Sequence, residues 1–428
     1  MASDIVVALG RATAEGHMLF GYNSNRAAGE GPGLMCVGGR AFAPGEAVCA
    51  RHVQLPQVRQ TYSVLAAVAP GHAGYTHGVN DHGVAAGVTS VHTRLGGSAT
   101  GLTGPELVRL ALERAVSARQ AVDVVTDLVA RFGQCGPDGN DDSALLLADG
   151  REAFVVETAG RYWAEQVVGS VRAVSDFCGL RQDWDRIARG LADEVIGRGW
   201  WPSDGSKVDF AGAVGREHGA GAAGLRRWGR ATLLLEQQSG QVDMRFLRRL
   251  LADHGDRPAA APSLCRHGDG AGEVATACSM VVEAGLAGAL PVAWCSFGPP
   301  CLGVWFPLFL VAELPVEFAA EDGGGCRVWR RSLRLAAEVE RSPESAKAVR
   351  QAMAAVQERF DQEGREFLVE AAALAGRADG ARLARLAGSL MQHHVERWEE
   401  ACDDVCPPQW RPHQLPRGST YQYAPAGD

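Results

Sequence analysis

The chain opens with an apolar run, Ile5-Val6-Val7-Ala8-Leu9, directly behind Ser3 and Asp4. A second run, Met18-Leu19-Phe20, ends in Tyr22-Asn23-Ser24-Asn25-Arg26. Two such runs around a polar segment at Gly16 predict a β-hairpin whose polar ends lie side by side. Residues 34 to 70 alternate short apolar runs with Gly, Pro and polar positions, as strands and loops do, and Asn80-Asp81-His82-Gly83 reads as a turn between two strands. His82 is expected to serve that turn as a local hydrogen-bond partner. Thr103 with Glu106, and Ser117 with Gln120, each precede an apolar-periodic stretch and predict two N-capped helices that end at Gly133. Segments 143–149, 152–160 and 161–168 then read as adjacent strands. A helix is expected to begin at 225–238, with Arg226, Arg227 and Arg230 near its start, where the macrodipole disfavours cations and an anionic neighbour is required. Beyond about residue 325 the pattern is helical: Ser342-Pro343-Glu344 opens a long helix toward Ala375, and another spans about 381 to 402.

Strands, then helices, then strands again indicate an α+β fold. The chain's 428 residues and 46% hydrophobic content allow one large core with an appendage. The expected division is a main domain over 1–325, a helical extension over 326–405 that covers the main domain or forms a homodimer contact, and a Pro-rich tail over 406–428. A net charge of −8 offers no basic footprint for nucleic acid. The most apolar stretch, Leu290 to Ala312, is interrupted by Gly298-Pro299-Pro300 and Pro307, so no membrane span is expected. Eleven cysteines without Cys-x-x-Cys spacing suit reduced thiols in a cytoplasm. Cys265 and His267 make only half of a zinc site, so packing is the expectation there and no metal or cofactor is implied.

The hairpin carries the candidate chemistry. A small hydroxyl residue at the head of the first strand suits an N-terminal nucleophile, whose side chain attacks while its own α-amine, with a pKa of about 7.7 to 8.0, serves as base. The segment SDIVVALGRATAEGHMLFGYNSNR, residues 3–26, resembles the opening of the secernins and dipeptidase-A-type peptidases, whose pattern is Cys-Asp, an apolar strand, Ala-Thr, then Phe-Gly-Lys-Asn-Ser-Asp-Arg. Similar blocks follow in family order at 76–87, 107–129, 152–168, 171–185, 199–201, 265–281 and 297–310. The resemblance implies a four-layer αββα N-terminal nucleophile hydrolase sandwich with a C-terminal helical extension. It also implies an amidohydrolase or peptidase acting on a small peptide or acyl-amide bond.

Transferred residue by residue, the resemblance places Ser3 at the nucleophilic Cys, Tyr22 at the Lys, Asn25 at the Asp, Val88-Thr89 at one Asn and Asp176 at another. The expected catalytic set is Ser3, Asn23, Asn25, Asp176 and an arginine, either Arg227 or Arg230, with Arg230 pairing with Asp176 if both face the pocket. Tyr22, Arg26, Thr89 and Asp185 are expected to bind substrate. Asn25 cannot supply the charge of an Asp, and a carboxylate at 176 opposes an oxyanion unless it is protonated or paired. A catalytically degenerate relative that binds a ligand or partner, or an acyltransferase using the same acyl-enzyme, are the alternatives. Glu157 and Trp163 are read as strand residues without an assigned role. Release of Ser3 requires removal of both Met1 and Ala2.

Overall fold

The computed structural model describes residues 2–406 apart from 28, 69–72, 96–99, 136–140, 217–218, 256–262, 268–273, 286–289, 322–323 and 376–378. The tail expected at 406–428 falls outside them, except for Cys406.

The opening hairpin forms as the pattern predicts. β1 (Ala2–Ala8) pairs antiparallel with β2 (Met18–Ala27), in a register that sets Ser3 opposite Ser24, Asp4 opposite Asn23 and Ile5 opposite Tyr22. Residues facing each other across a ladder share a face, and neighbours along a strand alternate. Ser3, Ile5, Tyr22 and Ser24 therefore share one face, and Asp4, Asn23 and Asn25 the other. Both faces are buried from Ser3 through Ala8, which is why this strand reads as a continuous apolar run once past its polar head.

The hairpin is the centre of a six-stranded antiparallel sheet in the order β12 (Val171–Val174), β1, β2, β14 (Val274–Ala284), β15 (Val292–Phe297), β16 (Phe306–Phe309). A second, eight-stranded sheet contains β3 (Gly33–Val37), β6 (Val64–Val68), β7 (Tyr75–Asn80), β8 (Ala85–His92), β9 (Asp141–Ala148), β10 (Ala153–Ala159), β11 (Tyr162–Val167) and β13 (Arg186–Ile187). Its order is β13-β11-β10-β9-β8-β7-β6-β3, and a ribbon of β4 (Ala47–Cys49) and β5 (Gln54–Pro56) stands apart. The sheets pack face to face through β1, β8 and β9. Gly87 permits a close approach, because a Cβ there would come within 2.6 Å of the Tyr22 ring.

Helices cover both outer faces. α1 (Gly104–Arg114) and α2 (Ala118–Phe132) lie on the eight-stranded sheet, the first held by the expected Thr103–Glu106 capping box and the second by Ser117. α3 (Leu191–Gly197) and α4 (Phe210–Val214) are short connectors, and α5 (Gly219–Gln237) and α6 (Met244–Leu251) pack on the six-stranded sheet. The result is the four-layer αββα sandwich. α5 begins earlier than the sequence suggested, so Arg226, Arg227 and Arg230 lie mid-helix, away from the unpaired N–H groups of its first turn, and the macrodipole reasoning does not apply to them.

α7 (Arg327–Arg341), α8 (Pro343–Ala375) and α9 (Gly380–Val405) form the C-terminal helical extension. They close the β15–β16 end of the core through aromatic contacts, with Phe306 5.5 Å from both Phe360 and Trp398 and Phe309 4.4 Å from Phe367, measured between ring centroids. Leu290 to Ala312 supplies β15 and β16, and among the described residues no helix is long and apolar enough to cross a membrane.

Candidate active site

The alternation along β1 splits the expected catalytic residues into two groups on opposite sides of the sheet. The inner group lies between the two sheets. Ser3 is fully buried, and its backbone N–H donates to Thr89 Oγ1 at 3.1 Å. Tyr22 Oη lies 2.8 Å from Ser3 Oγ and 2.6 Å from the Val88 carbonyl oxygen. A carbonyl only accepts while two hydroxyls can trade roles, so the phenol's single proton goes to Val88 and Ser3 donates to the phenol oxygen. Burial raises the Tyr22 pKa above its ordinary 10, so the phenol stays neutral and is a poor base for Ser3.

His77 stacks on the Tyr22 ring at 3.9 Å between centroids. Burial, reinforced by the nearby Arg26 guanidinium, lowers its pKa well below 6.5 and keeps it uncharged at neutral pH. Arg26 is buried on the same β2 face as Tyr22 and Ser24. Its Nε donates to Ser24 Oγ at 3.0 Å, while its Nη2 is buried without a hydrogen-bond partner among the described residues. A buried guanidinium nitrogen left unpaired carries a desolvation cost of about 1–3 kcal/mol or more, which an anionic ligand would offset.

The outer group faces α5 and α6. Asp4 accepts from Asn25 Nδ2 at 3.0 Å, from Ser175 Oγ at 2.7 Å and from Arg227 Nε at 2.9 and 3.1 Å. Arg227 also pairs with Asp176, while Arg230 pairs with Asp253 at 2.9 Å. The pairing expected between Arg230 and Asp176 is thus made by Arg227, one helical turn away on the buried side of α5. Burial pulls the Arg227 pKa down, but the carboxylates of Asp4 and Asp176 outweigh it and raise it. Burial raises that of Asp176, with Arg227 pulling it back. Gly224 makes the close fit, since a Cβ there would lie 2.5 Å from Asp176 Oδ1.

Asn23 is fully engaged in holding elements together. Its Nδ2 donates to the carbonyls of Leu251 and Leu264 at 2.8 and 2.9 Å, and its Oδ1 accepts from Ser279 at 2.6 Å. Asn25 Oδ1 accepts from Thr276 Oγ1 at 2.8 Å. Asp185 is exposed, and it accepts from the Val167 N–H at 2.7 Å at the β11–β13 edge. The structure does not bring it to the Ser3 group. Asp4, Ser175, Thr276 and His77 belong to the two groups and were not singled out from the sequence. Asp4 had a signal, because it stands beside Ser3 where the family pattern reads Cys-Asp.

Residues 48–168 match the family model of acyl-coenzyme A:6-aminopenicillanic acid acyl-transferase. The match takes in Thr89 and begins only after the hairpin that bears Ser3. Among solved structures, a mutant conjugated bile acid hydrolase from Clostridium perfringens is similar at 10% identity and TM-score 0.40, covering 69% of this chain and 89% of that one. A second variant of the Clostridium perfringens enzyme is similar at 11% identity and TM-score 0.40, over 68% of this chain and 89% of that one. An N-acylethanolamine-hydrolyzing acid amidase ortholog from Caenorhabditis elegans gives 10% identity and TM-score 0.33, over 65% of this chain and 91% of that one.

Proposed function

We propose that the protein is an N-terminal nucleophile amidohydrolase or acyltransferase in which Ser3, released from Met1-Ala2, attacks a small peptide or N-acyl substrate whose carboxylate Arg26 holds. The observation that carries this reading is the inner group. Ser3 heads β1 with its nitrogen held by Thr89, and the unpaired Arg26 Nη2 lies two residues beyond Ser24 on the same face.

Ser3 Oγ would add to the substrate carbonyl while the freed α-amine takes the hydroxyl proton. The amine leaving group would then depart with that proton, leaving an acyl-serine. Water resolves this ester to an acid, and an amine resolves it to a new amide, which is the acyltransferase outcome. Tyr22, kept protonated by burial, is a group within hydrogen-bonding distance of Ser3 that can turn its proton from Val88 to a developing oxyanion. Asp176 does not oppose this step, because its charge is directed at Arg227 on the outer face. The outer group fixes the head of β1 from behind. The secernin and dipeptidase resemblance favours short peptides as substrates, and the carboxylate reading of Arg26 agrees with that class.

A second reading, a ligand-binding relative without acyl chemistry, draws on the complete burial of Ser3 and on the hydrogen bond that engages its hydroxyl. Intact mass and N-terminal sequencing of untagged wild type beside Ser3→Ala separate the two. A wild-type chain that begins at Ser3, with a variant that keeps its leader, supports self-maturation and acyl chemistry. Both chains beginning at Met1 or Ala2 removes the α-amine base, and with it the catalytic proposal.

A further inference from the structure

Cys265 and His267 were expected to pack rather than to bind a metal, yet the fold brings His254 and Cys301 to them. His254 lies just past the end of α6 and Cys301 in the turn after Pro299-Pro300. One ligand atom from each of His254, Cys265, His267 and Cys301 lies within 4.8 Å of every other. His267 Nε2 is 3.0 Å from His254 Nε2, 3.2 Å from Cys301 Sγ and 3.7 Å from Cys265 Sγ.

Hydrogen bonding does not account for that convergence. An imidazole nitrogen has one in-plane direction, carrying either a proton or a lone pair, and here it meets three heteroatoms from three directions. A tetrahedral cation accounts for it. With metal–sulfur bonds of about 2.3 Å and metal–nitrogen bonds of about 2.05 Å, the edges of a tetrahedron come to about 3.6 Å between S and N and about 3.3 Å between two N. The observed separations scatter around those lengths.

The frame that presents the ligands is built without a metal. The Cys265 N–H donates to the Asp253 carbonyl at 3.1 Å, closing the segment that holds His254 against the one that holds Cys265. Arg266 exchanges two 2.9 Å hydrogen bonds with Thr276, through the Thr276 N–H and its Oγ1. The Cys301 turn is fixed by the Leu302 and Gly303 N–H groups, which donate to the Pro299 carbonyl at 3.0 and 3.2 Å.

We propose that His254, Cys265, His267 and Cys301 bind one zinc ion in a closed Cys2His2 site. With four protein ligands there is no open position for a substrate or water, so the ion is structural. It clamps the segment after α6 to the turn between β15 and β16, and through Arg266 and Thr276 it braces Asn25 at the polar end of β2. Binding takes both sulfurs as thiolates and releases their protons to solvent.

The test is a titration of chelator-treated, reduced full-length protein with Co²⁺ alone, followed by Zn²⁺. The expected result is a thiolate-to-cobalt charge-transfer band with intense tetrahedral d–d bands, saturating at about one equivalent and abolished by about one equivalent of zinc. The exposed Cys49 provides a control: Cys49→Ser keeps the bands, and Cys301→Ser loses the second thiolate contribution. If Cys301→Ser does not fold, the wild-type spectrum decides the matter. Absence of these bands in wild type, or their survival in a folded Cys265→Ser/Cys301→Ser protein, overturns the site. A chelator-resistant disulfide between Cys265 and Cys301, seen as the loss of two thiol hydrogens by intact mass in freshly isolated protein, overturns it as well.

Discussion

Replacing Arg227 by Met tests the outer polar group most directly. The guanidinium is 1% exposed and sits between Asp4, also 1% exposed, and Asp176, 13% exposed. Two carboxylates thus share one cation. Removing the cation takes the direct ion-pair partner from both, and only the Asn25 and Ser175 hydrogen bonds to Asp4 and the more remote Arg266 charge near Asp176 remain, so a cost of about 3–5 kcal/mol is expected, as when one partner of a buried ion pair is lost. Asp176→Asn has the opposite logic: the Asp4–Arg227 pair stays intact, now with balanced charge, and an amide oxygen can still accept from Arg227. Its expected cost is under about 1 kcal/mol. Both are read by urea unfolding at pH 7 with linear extrapolation, for variants whose m-value matches wild type.

A pH series adds a second check. The folded-state pKa of Asp176 is already raised by burial, and losing Arg227 raises it further, so the folded variant binds a proton that the unfolded chain releases. The deficit of Arg227→Met should therefore shrink as pH falls toward the ordinary carboxylate range and grow as pH rises through the raised folded value. An Arg227→Met cost below about 1 kcal/mol, or an Asp176→Asn cost equal to it, would refute the shared-cation account.

Glu157 is buried and accepts from the Gly179 and Leu180 N–H groups at 2.7 and 3.1 Å, and burial nevertheless pushes its pKa from 4.5 to about 7. A raised acid stabilises the fold fully below its unfolded pKa and loses that contribution as pH rises through the folded one. Between pH 4.5 and about 7, at ~1.4 kcal/mol per pH unit, wild type should lose about 3 kcal/mol that Glu157→Gln does not, and parallel stability curves for the two proteins would count against this. Tyr22→Phe strips the Val88 carbonyl of its 2.6 Å donor and leaves the Ser3 hydroxyl without its phenol partner, so a loss of about 1–3 kcal/mol in urea unfolding is expected. A variant as stable as wild type would mean that water or another donor serves Val88.

The opening hairpin, the Asn80–Gly83 turn, the two capped helices and the C-terminal helices could all be read from the chain, because each depends on local periodicity or on a cap within a few residues. The start of α5 could not, since Gly219 to Gly224 is glycine- and alanine-rich and has weak local preference for helix. The polar cluster at the ends of β1 and β2 was visible as a set of residue types. Its division was not, because the face on which a strand residue lies follows from register and from what covers each side.

Sequence alone determined that Ser3 heads an apolar strand, that Asn23, Asn25 and Arg26 end its partner, and that helices and strands alternate as a layered α+β fold requires. Tertiary structure decided the remainder. It turned Ser3, Tyr22 and Arg26 inward and Asp4, Asn25 and Asp176 outward, and it chose Arg227 over Arg230 because only one of them lies on the buried side of α5. It also brought His254 and Cys301 to Cys265 and His267 across 48 positions of chain from first to last. Such groupings are set by packing between distant segments, and residue spacing along the chain carries no record of them.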